Sequence, residues 1–142
     1  MSVDGYPVLL KADSVRKHLN RVTEMRDVGL VRFLEDLDRQ ESILFNLQMA
    51  IQNCMDIAAH IISEEGFGVA GSTNEMFYLL EENGFVDRQL TERMVRAVGF
   101  RDLIVHEYGK LELKEVFQIA HEDINDLNDY LKSILDKLGL AN

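Results

Sequence analysis

An all-α antiparallel bundle of about five helices is the fold this sequence predicts, on three observations. Turn formers are scarce, with 9 Gly and 1 Pro in 142 residues. Apolar residues recur at helical spacing over most of the chain, and no stretch reads as a credible strand. The composition, 46% hydrophobic and 28% charged, is that of a globular chain, and its length suits one domain whose core needs neither disulfides nor metal.

The elements follow in order. Residues 1–12 hold the only proline, Pro7, and no sustained period, so they are expected to form an N-terminal arm. Residues 13–142 are expected to form a single helical domain. Asp13 or Ser14 can cap a first helix carrying Val15, Leu19 and Val22, which breaks at Gly29. A short helical pattern runs from Leu30 to Asp38. The longest helix has Ile43, Leu44, Leu47, Ala50, Ile51, Cys54, Met55, Ala58, Ile61 and Ile62 on one wide stripe and should end near Glu65.

Gly66 to Gly71 contains a G-x-G-x-x-G match, but it follows a helix and lacks the preceding strand of a dinucleotide-binding unit, so it reads as a linker. Ser72 or Thr73 can cap a short helix that stops at Asn83-Gly84. Asp87 can cap the next, which should run to about Tyr108 and leave the helix at Gly109. The last helix carries Val116, Ala120, Ile124, Leu127, Leu131, Ile134 and Leu135 on one stripe and ends at Gly139.

Charge and cysteine content narrow the function. The formal net charge of −10 works against a broad nonspecific nucleic-acid surface, so any RNA contact must be local. Lone Cys54, in an apolar helical stretch, reads as a buried structural thiol and fits a reducing cytoplasm. No leader pattern and no window of about 18 apolar residues is present, so a cytoplasmic protein without a membrane span is expected.

Reactive side chains cluster once, in Arg101-Asp102-Leu103-Ile104-Val105-His106-Glu107-Tyr108. RNA cleavage without metal needs a group that takes the ribose 2′-OH proton, a group that protonates the leaving oxygen, and positive charge near the phosphorus. Imidazole serves as acid or base near neutrality, and guanidinium offers a charged fork to phosphate oxygens. Asp102, one turn before His106, can orient the imidazole, or it can pair with Arg101. On an ideal helix Arg101 and Tyr108 lie almost in line, whereas Arg101 and His106 are about 140° apart. Convergence of that pair requires long side chains, a distorted helix end, or a second chain. The same residues would also suit a phosphate-binding surface without chemistry.

Gly99 to Tyr108 closely resembles the HEPN signature: an Arg, an adjacent polar residue, a short spacer and a His. The Tyr two residues later narrows the likeness to the HepT-like branch, and Leu47 to Ile62 resembles that branch's central helix. The resemblance implies a dimerising bundle of four to five helices in which Arg101 and His106 of both subunits line a cleft where RNA is cut without metal or cofactor. It also implies a partner, an MntA-like nucleotidyltransferase antitoxin that transfers AMP to Tyr108. The motif's second position is often Asn in this family. Asp102 departs from that and is expected to weaken phosphate binding by Arg101.

Asp56 and His60 are four apart on the long helix, and the resemblance implies that they line or brace the cleft; a polar pair in the core fits the spacing equally. Lys110 and Lys114 after the motif, with Arg88, Arg93 and Arg96 before it, either add positive potential or make surface salt bridges. His121-Glu122 begins like a zinc-protease helix, but Asn125 stands where the second His belongs, so no metal site is expected. The competing reading of the whole chain is a non-catalytic partner of a nucleotidyltransferase, or a substrate-binding helical module.

Overall fold

The computed structural model describes residues 3–140. Among them it has six α-helices, one 3-10 turn and no strand. The helices are α1 (Gly5–Arg26), α2 (Leu30–Glu35), α3 (Leu37–Glu65), α4 (Thr73–Glu82), α5 (Arg88–His106) and α6 (Leu113–Leu138), with the 3-10 turn at Tyr108–Lys110.

The first helix begins earlier than its apolar pattern announces. Residues 5–12, expected as part of an arm, are the opening turns of α1, capped by the Asp4 side chain on the Tyr6 amide at 3.1 Å. Pro7 is third in the helix, where its missing N–H would have had no helical partner. Val8 and Ala12 are buried among residues of α3 and α6, so tertiary burial extends a helix that local periodicity leaves undefined. Gly5 packs closely on Leu140, with space for no Cβ unless that side chain shifts.

The starts at Ser72 and Asp87 fall where the sequence puts them, whereas the pattern expected to run from Leu30 to Asp38 is divided at Asp36 between α2 and α3. Asp36, Ser72 and Asp87 each accept a hydrogen bond from the backbone amide three residues on, which satisfies a first-turn donor of α3, α4 and α5. Gly66 ends α3 at φ +68°, a left-handed conformation that a side chain disfavours.

α3 is the central element and packs against the five other helices. Its 29 residues span about 43 Å. One core cluster gathers α4, the first half of α5 and the second halves of α3 and α6 around Ile57, Ile61, Phe77, Met94, Leu127 and Tyr130. The other lies at the opposite end, with Phe33 of α2, Ile43 and Leu47 of α3, Phe100 and Ile104 of α5, and Val116 of α6. Phe100 and Ile104, one turn apart and buried, hold the last two turns of α5 on that second core. The residues around them face outward, and this places the reactive segment at the surface. Full burial of each such side chain is worth roughly 1.5–3 kcal/mol.

Cys54 is fully buried, and burial pushes its thiol up, so it remains protonated and inert as the sequence predicts. Tyr130 donates to the Cys54 carbonyl at 3.1 Å, which satisfies the one polar atom of a buried ring. No helix among the described residues is long and apolar enough to cross a membrane.

Candidate active site

The reactive segment occupies the end of α5 and the turn after it. Helical geometry holds through His106. Glu107 then turns out of the helix at φ −138°, ψ 43°, and Tyr108 opens the 3-10 turn closed by Lys110 and Leu111 amides on the Glu107 and Tyr108 carbonyls. Tyr108 is therefore not in line with Arg101 on one helix, as the seven-residue spacing predicts. The exit lies two residues before Gly109, whose backbone is not left-handed.

Arg101 is the most constrained member of the segment. Its side chain is only 20% exposed. Nη2 donates to Gln52 Oε1 of α3 at 2.7 Å, and Nη1 donates to Asp102 Oδ1 at 3.0 Å. Nε is buried without a partner. Since guanidinium carries five N–H donors, one on each Nη is left for an incoming oxygen. Asp102 thus takes the second of its two roles: its carboxylate pairs with Arg101, and no hydrogen bond links it to His106.

His106 is exposed and makes no hydrogen bond or ion pair. Because α5 is regular up to this residue, Arg101 and His106 keep the wide angular separation of an ideal helix. No hydrogen bond joins them within the chain. A distorted helix end is therefore not what brings them together.

Tyr108 is 53% exposed. It lines a groove of about 470 Å³ together with Leu37, Leu44, Phe45 and Gln48 of α3 and Ile104 of α5. Arg101 meets α3 at Gln52, and Tyr108 meets it nearer its N-terminus, so α3 and α5 run antiparallel and the segment lies along the first half of α3. Phe45 and Leu37 beside it are 56% and 63% exposed, and Leu103 and Val105 on α5 are 38% and 40% exposed. This is an apolar border around a polar site.

The remaining candidates separate. Asp56 accepts from Gln52 Nε2 at 3.1 Å and from Lys11 at 3.3 Å, which joins it to Arg101 through one side chain. His60, two turns further along α3 from Gln52, reaches the Asp4 carbonyl at 3.1 Å and Glu64 at 3.8 Å. It braces the start of α1, it does not pair with Asp56, and no hydrogen bond connects it to Arg101. Lys110 is 74% exposed and pairs with Glu107. Of the upstream arginines, Arg88 binds Glu81, and Arg93 bridges Asp126 and Asp129. The charge of these two is largely spent in those pairs.

Sequence reasoning missed Gln52 and Lys11. Gln52 does share a helix face with Asp56, four residues on, but its hydrogen bond to Arg101 depends on the register of α3 against α5, which spacing along one chain does not encode.

Comparison with known proteins agrees with this architecture. The chain is 27% identical over 127 residues to an mRNA nuclease HepT of Shewanella oneidensis, covering 89% of this chain and 95% of that protein. It is 22% identical over 130 residues to a tRNA nuclease HepT of Aphanizomenon flos-aquae, covering 90% and 88%. Among solved structures, a tri-AMPylated HEPN toxin of Shewanella oneidensis in complex with an MNT antitoxin superposes with a TM-score of 0.85 at 26% identity, covering 91% of this chain and 96% of that one. The family model for Ribonuclease HepT-like proteins matches residues 15–134, nearly the whole helical bundle with the Arg101 to Tyr108 segment inside it, and the chain belongs to that family.

Proposed function

We propose that the chain is a metal-independent endoribonuclease toxin, active as a homodimer and neutralised when a nucleotidyltransferase antitoxin of the MNT type transfers AMP to Tyr108. The observation that carries this reading is the division of labour at the end of α5, in a chain of the HepT-like family. Arg101 is anchored and its charge is held in place, while His106 is exposed, unpartnered and free to exchange a proton.

In the reaction the ribose 2′-oxygen attacks the adjacent phosphorus and loses its proton to an imidazole. The bond from phosphorus to the 5′-oxygen breaks, and that oxygen takes a proton as it leaves. The products are a 2′,3′-cyclic phosphate and a 5′-hydroxyl. Arg101 stabilises the charge that builds on the phosphoryl oxygens. Base and acid are both required at once, and one His106 from each of two copies supplies them. Dimerisation also brings the Arg101 of one copy toward the His106 of the other, which the angle along a single α5 does not allow. The exposed apolar border formed by Leu37, Phe45, Leu103 and Val105 supports such an interface.

Exposed Tyr108 supports the switch. Its phenolic oxygen attacks the α-phosphorus of ATP, pyrophosphate leaves, and the phenolic proton passes to solvent. The attached nucleotide places negative charge and bulk two residues from His106, where it repels the RNA phosphate and fills the cleft.

The decisive experiment is cleavage of a labelled RNA by the purified chain in excess EDTA, repeated after incubation with an MNT-type nucleotidyltransferase and ATP. Cleavage persists in EDTA and disappears after the incubation. Intact mass then rises by one or more AMP units, and Tyr108→Phe abolishes both the mass gain and the inhibition. A chain that binds the nucleotidyltransferase but leaves every RNA intact would instead be a non-catalytic partner module.

The Asp102 pairing has its own consequence. Because its carboxylate occupies Nη1 of Arg101, Asp102→Asn keeps the shape and removes the competing charge. RNA affinity is expected to rise by about three- to tenfold, the size of one partly screened charge contact, read as a lower KM. A fall in kcat with unchanged KM would instead mean that Asp102 serves His106.

A further inference from the structure

We propose that Gln52 is a positioning residue for RNA cleavage. It fixes the Arg101 guanidinium through a hydrogen bond from α5 to α3 whose direction is set by Asp56. This inference rests on the nuclease reading above.

Arg101 has two anchors of unequal quality. Asp102 is its neighbour in sequence and is 51% exposed, so water and salt screen that pair. Gln52 Oε1, at 2.7 Å from Nη2, is the shorter contact and comes from the central helix of the bundle. A hydrogen bond from a charged donor that is four-fifths buried is stronger than the same bond in water. The long, flexible arginine side chain is thereby tied to the helix that packs against all the others.

A glutamine amide can turn over, and only one orientation serves. Asp56 decides which. Its ionised carboxylate only accepts hydrogen bonds, and Gln52 Nε2 donates to Oδ1 at 3.1 Å. The amide oxygen must then face Arg101. Turned over, it would set oxygen against carboxylate and N–H against guanidinium, with two repulsive contacts in place of two hydrogen bonds. Lys11 on Asp56 Oδ2 at 3.3 Å offsets the carboxylate charge and closes the chain at α1.

The neutrality of Gln52 matters as much as its reach. A carboxylate at this position would also orient Arg101, but it would cancel the positive charge that the phosphoryl oxygens require. An amide orients the fork and leaves its charge intact, with one N–H on each Nη still available.

The test uses the purified full-length chain with Gln52→Met, which preserves length and packing but removes both polar atoms. With RNA substrate, kcat is expected to fall about tenfold because a misaligned guanidinium stabilises the transition state less. Affinity for a 2′-O-methyl RNA, which cannot be cleaved, is expected to fall by only about threefold. In an Arg101→Ala background the same Gln52→Met change should leave that affinity unaltered, since there is no guanidinium to align. An equal loss in both backgrounds, or no loss of kcat beside wild type, overturns the proposal. If Gln52→Met lowers the thermal midpoint enough to confuse the reading, Asp56→Ala tests the same chain of contacts from its far end. A smaller loss of kcat, absent affinity change in the Arg101→Ala background, supports the proposal, and unchanged kcat overturns it. Wild type that cleaves no RNA would sink the nuclease reading. Wild type that cleaves while Gln52→Met matches it would sink this inference alone.

Discussion

His106→Ala is expected to lower RNA cleavage by about 10²–10⁴-fold, the range that a positioned general acid or base contributes, and to restore growth to cells arrested by the wild-type chain. Few substitutions are so free of structural side effects. The imidazole is exposed and makes no hydrogen bond or ion pair, and it ends α5 instead of packing inside it. Surface changes of that kind usually alter stability by less than about 0.5 kcal/mol, so the thermal midpoint should match wild type while activity disappears. Lys110→Ala makes a useful contrast. Its ammonium is 74% exposed and occupied by Glu107, so a loss of no more than about threefold is expected from reduced local potential. Wild-type toxicity in His106→Ala would remove the imidazole from the mechanism and leave Arg101 as part of a binding surface.

The sequence made several helix ends legible where a cap or a stop is written in side chains. Asp87, Ser72, Asn83-Gly84 and Gly66 each do what their chemistry dictates, because capping is settled within a few residues. The start of α1 was missed although Asp4 caps it and Pro7 suits a first turn, because Val8 and Ala12 show no sustained period and are held helical through contact with α3 and α6. The candidate site divides in the same way. Arg101, His106 and Tyr108 are recognisable as a motif. The turn at Glu107 that takes Tyr108 off the helix and the Gln52 anchor of Arg101 both depend on how α5 lies on α3. Asp56 and His60 show the limit of spacing as evidence. They share a face of α3, yet one turns to Gln52 and Lys11 and the other to the backbone of Asp4.

Asp123→Asn is expected to stabilise the fold at pH 8 by roughly 2–4 kcal/mol and to change it little near pH 3. Asp123 lies on α6, only 5% exposed, and its Oδ2 has no hydrogen-bond partner. Burial is the largest cause that pushes its carboxyl up, to about 7; the charges of Asp126 and Glu122 add to the shift, and Arg96 partly opposes it. Unfolded, the group titrates near 3.9. Between those values the folded chain holds a proton that the unfolded chain has released, so stability falls as pH rises from about 4 to 7 and the full penalty is present above 7. Urea midpoints of the wild type should therefore drop between pH 5 and pH 8 more steeply than those of Asp123→Asn, and the two should converge only as pH falls below about 4. Histidine titrations are common to both proteins and cancel in the difference. Parallel curves over that range would mean that Asp123 ionises without cost, through water at Oδ2 or a movement of α6. A penalty that Asn so easily relieves also bears on activity, because α6 carries Val116 and Ala120 in the same core that seats Phe100 and Ile104 under the motif. If the stabilised variant cleaves RNA at the wild-type rate at both pH values, the buried acid is a cost to the fold with no part in the chemistry, and the site at the end of α5 works independently of it.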